Sequence, residues 1–262
     1  MDYPVHTCDI KWLIARKNFL TASDVIKLVP FSKTGRKRTI TDEMYAELII
    51  SKMRTITNEE TISTGAAARG HWLEPFAINQ YNETFSKQFY HWDDVVLCNE
   101  SYPGIAFSPD AMSISQQENP IRAHSCKLDV MTLPGPHEIL EIKSYKTERH
   151  IKTLMTPQDE LEERWQVATA MAVDPNIDKA SLVLFNPSFQ EFQLKVFDWT
   201  RADLIEEREV IEKIRVRWIH IKKEILFRLP TMTRPAKFLS EDGCQQEVWN
   251  KEREKNRLNP RI

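Results

Sequence analysis

Phe107-Ser108-Pro109-Asp110-Ala111 and Leu140-Glu141-Ile142-Lys143-Ser144 are the two stretches that decide how this chain is read. The first ends an extended run on a carboxylate. The second lies inside a strand-like segment from Glu138 to Ser144. Side chains alternate along a strand, so Glu141 and Lys143 project from one face and Ile142 from the other. An anionic metal ligand thereby stands beside a cation, with a further carboxylate available from Asp110. That set suits metal-assisted hydrolysis of a phosphodiester. Carboxylate oxygens hold a hard divalent ion such as magnesium. The ion lowers the pKa of a bound water and neutralises charge on the phosphate, while the lysine orients or deprotonates that water. A lone Glu/Lys pair on a strand is more often a solvated ion pair. The other residues in register with it are what favour the chemical reading.

Outward from these stretches, helical and strand-like patterns follow one another. Residues 21–29 predict a short helix, with Thr21 and Asp24 as a capping-box variant. A basic loop from Ser32 to Arg38 carries Lys33, Arg36, Lys37 and Arg38, and is either a solvated loop or a contact to a nucleic-acid backbone. Helices are predicted over 41–54 and 65–81, then strands over 90–98 and 102–107. The polar stretch from Ser115 to Pro136, with prolines at 120, 134 and 136, predicts a loop or hairpin excursion holding one short strand. A strand at 138–144, a helix at about 158–173 and a hairpin of strands at 180–186 and 190–197 follow.

The last third changes character. From Thr200, with Asp203 as a second capping box, a helix can run nearly to Leu229. Ile211, Ile214, Trp218, Ile221 and Ile225 form one apolar stripe, which either packs on the parent sheet or makes a subunit seam. After Pro235 the tail to residue 262 is polar and basic. The order of elements argues a single α/β domain over 1–262, with a core at about 12–199 and a long C-terminal helix at about 201–229.

Composition narrows the classes. The 262 residues, 41% hydrophobic and 28% charged, are those of an ordinary globular chain. The formal charge of −2 means that a nucleic-acid partner must be met by a local basic patch. No apolar run approaches a membrane span, and Met1 to Asp9 lacks the regions of a signal peptide, so a cytosolic location is expected. Cys8, Cys98, Cys126 and Cys244 lack zinc or iron–sulfur spacing; they read as free thiols in a reducing compartment or as a cluster assembled only by the fold. The seven histidines contain no H-E-x-x-H pair, which argues against zinc hydrolase chemistry.

Taken together, the motifs resemble the PD-(D/E)xK nuclease superfamily, and within it the phage lambda exonuclease or YqaJ-like viral recombinase group. Five matches occur in order over roughly residues 12–173. Trp12 and Arg16 precede Thr21-Ala22-Ser23, similar to the W…R…T-A-S opening. Gly70 and Glu74 resemble the helix with the first acid, Ser108-Pro109-Asp110 the S-P-D block, Leu140-Glu141-Ile142-Lys143 the L-E-x-K block, and Gln166 the glutamine of the following helix. Each motif alone is weak; the ordered set is specific.

The resemblance implies a restriction-endonuclease-like fold, a central mixed β-sheet flanked by helices. It implies that Asp110, Glu141 and the Ile142 carbonyl ligate Mg2+, with Mn2+ as a substitute, and that Glu74 binds a second ion or a metal water. Lys143 would position the nucleophilic water and Gln166 would line the site. Arg16 and Ser23 would grip the 5′ phosphate of a DNA end. Ser23 lies in the first turn of a capped helix, where free amides favour an anion, although Asp24 can satisfy those amides instead. Arg16 can grip phosphate in bidentate fashion. The implied activity is 5′-to-3′ exonuclease action on double-stranded DNA ends, leaving 3′ overhangs for recombination. Implied partners are DNA ends, a single-strand annealing protein and further copies in a ring trimer, in the host cytoplasm if the chain is phage-encoded. The alternatives are an endonuclease of restriction or junction-resolving type and a catalytically silent DNA-binding protein. One departure stands out: thirty residues separate Asp110 from Glu141, a much wider gap than in the phage enzyme.

Overall fold

Pro109 has no amide hydrogen to give to a ladder, and it divides the run leading to Asp110 into two short strands, Ile105–Phe107 and Ala111–Met112. In the computed structural model of the chain, these strands belong to different sheets. The structure describes residues 6–7, 10–30, 38–54, 62–63, 65–115 and 127–228. The expected tail at 235–262, most of the basic loop, residues 116–126 of the polar excursion, and Cys8, Cys126 and Cys244 lie outside them. Two compact units are distinguished, Met1–Lys222 and Lys223–Ile262; of the second, only the helical residues 223–228 are described.

In chain order the elements are β1 (His6–Thr7), α1 (Ile10–Lys17), β2 (Leu20–Thr21), α2 (Ala22–Leu28), α3 (Asp42–Met53), β3 (Ile62–Ser63), α4 (Gly65–Phe85), β4 (Tyr90–His91), β5 (Val96–Cys98), β6 (Ile105–Phe107), β7 (Ala111–Met112), β8 (Lys127–Asp129), β9 (His137–Lys143), α5 (Thr147–Met155), α6 (Arg164–Val173), β10 (Ile177–Phe185), β11 (Leu194–Thr200) and α7 (Ile205–Arg228). The fold is α/β, with mixed sheets flanked by helices and a long C-terminal helix. A five-stranded sheet runs β11-β10-β9-β7-β4 and a four-stranded sheet β2-β6-β5-β8, with β1 and β3 as a separate ribbon. In the larger sheet β9 and β10 are parallel and the other neighbours antiparallel. The polar excursion returns as β8, which pairs in parallel with β5 at the edge of the smaller sheet.

Helix α4 covers one face of the larger sheet. Leu73, Ala77, Ile78 and Tyr81, which fall on one face of the helix at successive turns, pack on Ala111, Leu140, Ile142, Val183 and Phe185. Helix α6 packs against β10, β6 and α2. Of the C-terminal stripe, Ile211, Ile214, Trp218 and Ile221 are buried. The stripe therefore serves the chain's own core in the first unit. Among its anchors, Arg217 pairs with Asp42 at 2.6 Å and Lys222 donates to the Asn18 carbonyl at 2.9 Å.

Several expectations need correcting. Helix α5 falls where none was expected, and the helix expected at 158–173 is a 3-10 turn followed by α6. The strand expected over 90–98 is two, β4 and β5. Asp203 accepts from the Thr200 amide and hydroxyl, both at 2.7 Å, but within a turn before α7, which starts at Ile205. Arg38 donates to the carbonyls of Val29 and Ile26, both at 2.7 Å, and so caps the end of α2 instead of standing ready for a nucleic acid. Cys98 is a buried free thiol. No helix among the described residues is long and apolar enough to cross a membrane.

Helices α2 and α3 are joined through a buried carboxylate. Asp24 caps its own helix by accepting from the Thr21 hydroxyl at 2.6 Å and the Thr21 amide at 3.3 Å. It also pairs with Lys52 of α3 at 2.6 Å and with Lys27 at 2.9 Å. Burial alone would raise its pKa, but Lys52, Thr21 and Lys27 together hold it well below the usual carboxylate range. The benefit is one-sided, since burial, with the charges of Arg16 and Lys27, lowers the Lys52 amine more than Asp24 raises it.

Two stability tests follow from this packing. Asp24→Asn should cost about 3 kcal/mol, the usual result of leaving a buried partner charge uncompensated. A group with a depressed folded pKa stabilises above its unfolded value and loses that stabilisation as pH falls. Wild type should therefore weaken on acidification below about pH 4 more steeply than Asp24→Asn does; parallel urea-melt profiles for the two would disprove the assignment. Gly104, at φ +95°, would place an added Cβ 2.9 Å from Ile219 Cγ1. Gly104→Ala should lower stability by about 1–3 kcal/mol in the same assay, and an unchanged midpoint would count against this packing of α7.

Candidate active site

Register brings the two motifs together. Ala111 pairs with Leu140 and Met112 with Ile139, so the next step along the ladder sets Asp110 abreast of Glu141. Asp110 is fixed there by two hydrogen bonds: its Oδ2 accepts from the Ile142 amide at 2.6 Å, and its carbonyl accepts from the Trp92 amide at 3.1 Å. As alternation requires, Ile142 is buried in the α4-covered core while Glu141 and Lys143 are half-buried on the other face. Lys143 Nζ donates to Glu141 Oε1. The amide and carbonyl of one strand residue point to the same edge. The ladder continued sets Pro109 across from Ile142, and proline has no N–H to offer the Ile142 carbonyl. The S-P-D proline thus spares a backbone oxygen between the two acids.

The electrostatics reflect this convergence. Burial, then the Glu141 and Glu74 carboxylates, push the Asp110 carboxyl well above the usual range. Burial would lower Lys143, but Glu141 and Asp110 outweigh it and hold the ammonium above its ordinary value. Glu74 comes from the middle of α4 and lies between two histidines that sequence reasoning missed. His71 Nδ1 is 3.4 Å from Oε1, and His91 Nε2 is 3.3 Å from Oε2. Burial raises Glu74, yet these two contacts bring it down to about 2 and raise both histidines in return. His71 stands one helical turn from Glu74, a spacing visible in the sequence. His91 reaches it only through the pairing of β4 with β7.

Gln166 is half-buried in the first turns of α6. One turn before it, the buried Glu163 accepts from the Tyr145 hydroxyl, and its charge is felt by Lys143. Neither Glu163 nor Tyr145 was singled out from the sequence. Beyond Lys143 the strand end is tied down by Arg69 of α4, which donates to the Ser144 carbonyl and, at 3.2 Å, to Asn186 Oδ1.

Arg16 and Ser23 do meet. The guanidinium of Arg16, 4.4 Å from the Trp12 ring, donates to Ser23 Oγ at 3.2 Å and to Ser108 Oγ at 3.5 Å. Trp12 Nε1 also donates to Ser108 Oγ, at 3.3 Å. The first residue of S-P-D therefore links the opening motif to a point two residues from Asp110. Helix α2 has only seven residues, so the anion-binding potential here lies in side chains more than in a dipole.

Among the described residues, no group of three or more His, Cys, Asp or Glu side chains closes into a metal cage. Asp110, Glu141 and the spared Ile142 carbonyl instead form a set of two carboxylates and one carbonyl, all hard oxygens. That set fits a magnesium ion that keeps several of its waters.

Comparisons with known proteins bear on the fold and the family. The alkaline exonuclease LHK-Exo from Laribacter hongkongensis superposes with a TM-score of 0.58 at 22% identity, over 84% of this chain and 95% of that one. Its complex with dAMP gives 0.57 at 21%, with the same coverage of 84% and 95%. At such identity these likenesses speak for the fold. No curated protein matches the sequence. Residues 11–175, which hold every motif residue described above, match the model of the YqaJ-like viral recombinase domain, and the chain belongs to that family.

Proposed function

We propose that the chain is a metal-dependent deoxyribonuclease that degrades one strand of duplex DNA from its 5′ end, leaving 3′ overhangs for recombination. The observation that carries this reading is one continuous constellation. Asp110, Glu141 and Lys143 stand around the Ile142 backbone, and Ser108, two residues from Asp110, is hydrogen-bonded to Arg16. Asp110, Glu141 and the Ile142 carbonyl would hold Mg2+ or Mn2+, which supplies polarisation of the scissile phosphate and a water of lowered pKa. Lys143, kept charged by its acidic neighbours, orients that water and faces the charge that builds on the phosphate. Glu74, kept ionised between His71 and His91, offers a carboxylate to a second ion or its water. Gln166 lines the site from α6. Arg16 and Ser23 hold the terminal phosphate, which makes the enzyme act on ends.

Digestion of a linear duplex and not of its circular form, with magnesium, is the expected outcome; nicking of the circle would select an endonuclease. Chelator should abolish activity, and calcium should bind with little turnover. Asp110→Asn and Lys143→Ala should each lower cleavage by more than about a hundredfold while leaving binding to DNA ends measurable. Wild-type rates from either variant would place the catalytic site elsewhere.

Polarity is tested separately. A 5′-phosphorylated duplex should be cut faster than its 5′-hydroxyl twin, because a charge-assisted hydrogen bond is worth about 1.5–3 kcal/mol, or roughly 10- to 150-fold in rate. Arg16→Ala should erase that preference and leave the hydroxyl substrate little changed. Equal rates on both ends in wild type would remove the case for a 5′-end-dependent enzyme.

A further inference from the structure

The Thr21 and Ser23 hydroxyls lie 3.1 Å apart, and by distance alone either could donate to the other. Asp24 decides which does. Burial would raise its carboxyl, but Lys52, Thr21 and Lys27 hold it well below the usual carboxylate range, so it is ionised and only accepts hydrogen bonds. The Thr21 hydroxyl gives its one proton to Asp24 Oδ2, at 2.6 Å, and has only lone pairs left to offer Ser23. Ser23 is therefore the donor of that pair, and its proton points at Thr21. A lone pair is what Ser23 presents to Arg16, whose Nη2 donates to it at 3.2 Å. Hydrogen bonds thus run in one direction, from Arg16 to Ser23 to Thr21 to Asp24. Each bond in such a chain polarises the next, so the carboxylate at its end makes the Ser23 oxygen a stronger acceptor for the guanidinium. The inner half of the chain is anchored. Thr21 and Asp24 are buried, Lys52 of α3 pairs with Asp24 at 2.6 Å, and β2 sets Thr21 beside Ala106 of β6. Two residues past Thr21 stands Ser23, and two past Ala106 stands Ser108, which accepts from Arg16 Nη1 at 3.5 Å. Both terminal nitrogens of Arg16 are aimed by hydroxyl oxygens carried just beyond a pair of neighbouring strands.

We propose that Thr21 is a positioning residue of the 5′-phosphate grip: oriented by Asp24, it fixes the Ser23 hydroxyl as an acceptor that aims the Arg16 guanidinium, and Ser23 acts on the phosphate through Arg16. This rests on the reading of Arg16 and Ser23 as the grip on a terminal phosphate, and assigns each its part in it.

The test reads a ratio, in which a general loss of activity cancels. Full-length wild type and variants cut 5′-phosphorylated and 5′-hydroxyl duplexes with magnesium under single-turnover conditions, and the two rates are divided. Thr21→Val, of the same shape without the hydroxyl, should lower the phosphate preference about two- to tenfold, the range of one neutral hydrogen bond. Thr21→Ser, which keeps the hydroxyl, should retain it. Ser23 is exposed, and Ser23→Ala should lower the ratio as far as Thr21→Val does. The double variant should fall no further, because both changes act on one contact. Thr21→Ala takes the place of Thr21→Val if the latter does not fold. A ratio kept by the Thr21 variant without a hydroxyl, or by Ser23→Ala, would overturn the relay. So would an equal loss in Thr21→Ser, or a loss that adds to that of Ser23→Ala, since Thr21 would then act only as the cap of α2. Equal rates on both ends in wild type would overturn the phosphate grip itself, and the relay with it.

Discussion

The hydrogen bond from the Ile142 amide to Asp110 Oδ2, at 2.6 Å, is the contact on which the site depends. Strand β7 is only two residues long and cannot hold Asp110 by ladder bonds alone. The side chain of Asp110 does what a backbone carbonyl would do in an unbroken strand, and the chain can pass from one sheet to the other at Pro109 without leaving Ile142 unpaired. The carboxylate is thereby pinned beside Glu141 against their mutual repulsion. Breaking this hydrogen bond would free Asp110 to swing away from its like-charged neighbours, and the donor set would come apart.

Charge is sorted along the path from Arg16 to Lys143. At one end the Asp24 carboxylate pairs with both Lys27 and Lys52. At the other, Glu74, Asp110 and Glu141 converge, and Asp110 is pushed up in pKa as a result. Ser108 joins the two regions, accepting from Arg16 and Trp12 while its chain neighbours lead into Asp110. At the acidic end the cation that meets these carboxylates is Lys143, which donates to Glu141.

Much of the fold was readable where local periodicity is strong. The stripe of α4 and that of α7 repeat at three and four residues, and β9, β10 and β11 carry long apolar or β-branched runs. Helix α5 was not readable because it lacks local signals: Lys146 at its cap makes no side-chain cap, and Thr147, Ile151 and Thr153 are β-branched. Tertiary contacts support it instead, among them His150, buried, within 3.0 Å of the Phe192 carbonyl and stacked on Phe189. The split of 90–98 into β4 and β5 likewise follows from Trp92, whose amide turns to Asp110 and whose indole donates to the Ile114 carbonyl at 2.8 Å.

By itself the sequence determined that Glu141 and Lys143 share a face, that Ile142 opposes them, and that the acids and the Arg16–Ser23 opening occur in one order along the chain. These are properties of a backbone repeat and of linear order, and they need no distant partner. Tertiary structure decided that Asp110 stands abreast of Glu141, that His91 clasps Glu74, that Ser108 bridges to Arg16, and that Arg38 caps α2 instead of waiting for a nucleic acid. Each of these joins groups far apart in sequence or otherwise set by packing. Which donor meets which acceptor there depends on strand register and on how helices seat against the sheets, and both are fixed only when the whole core packs at once.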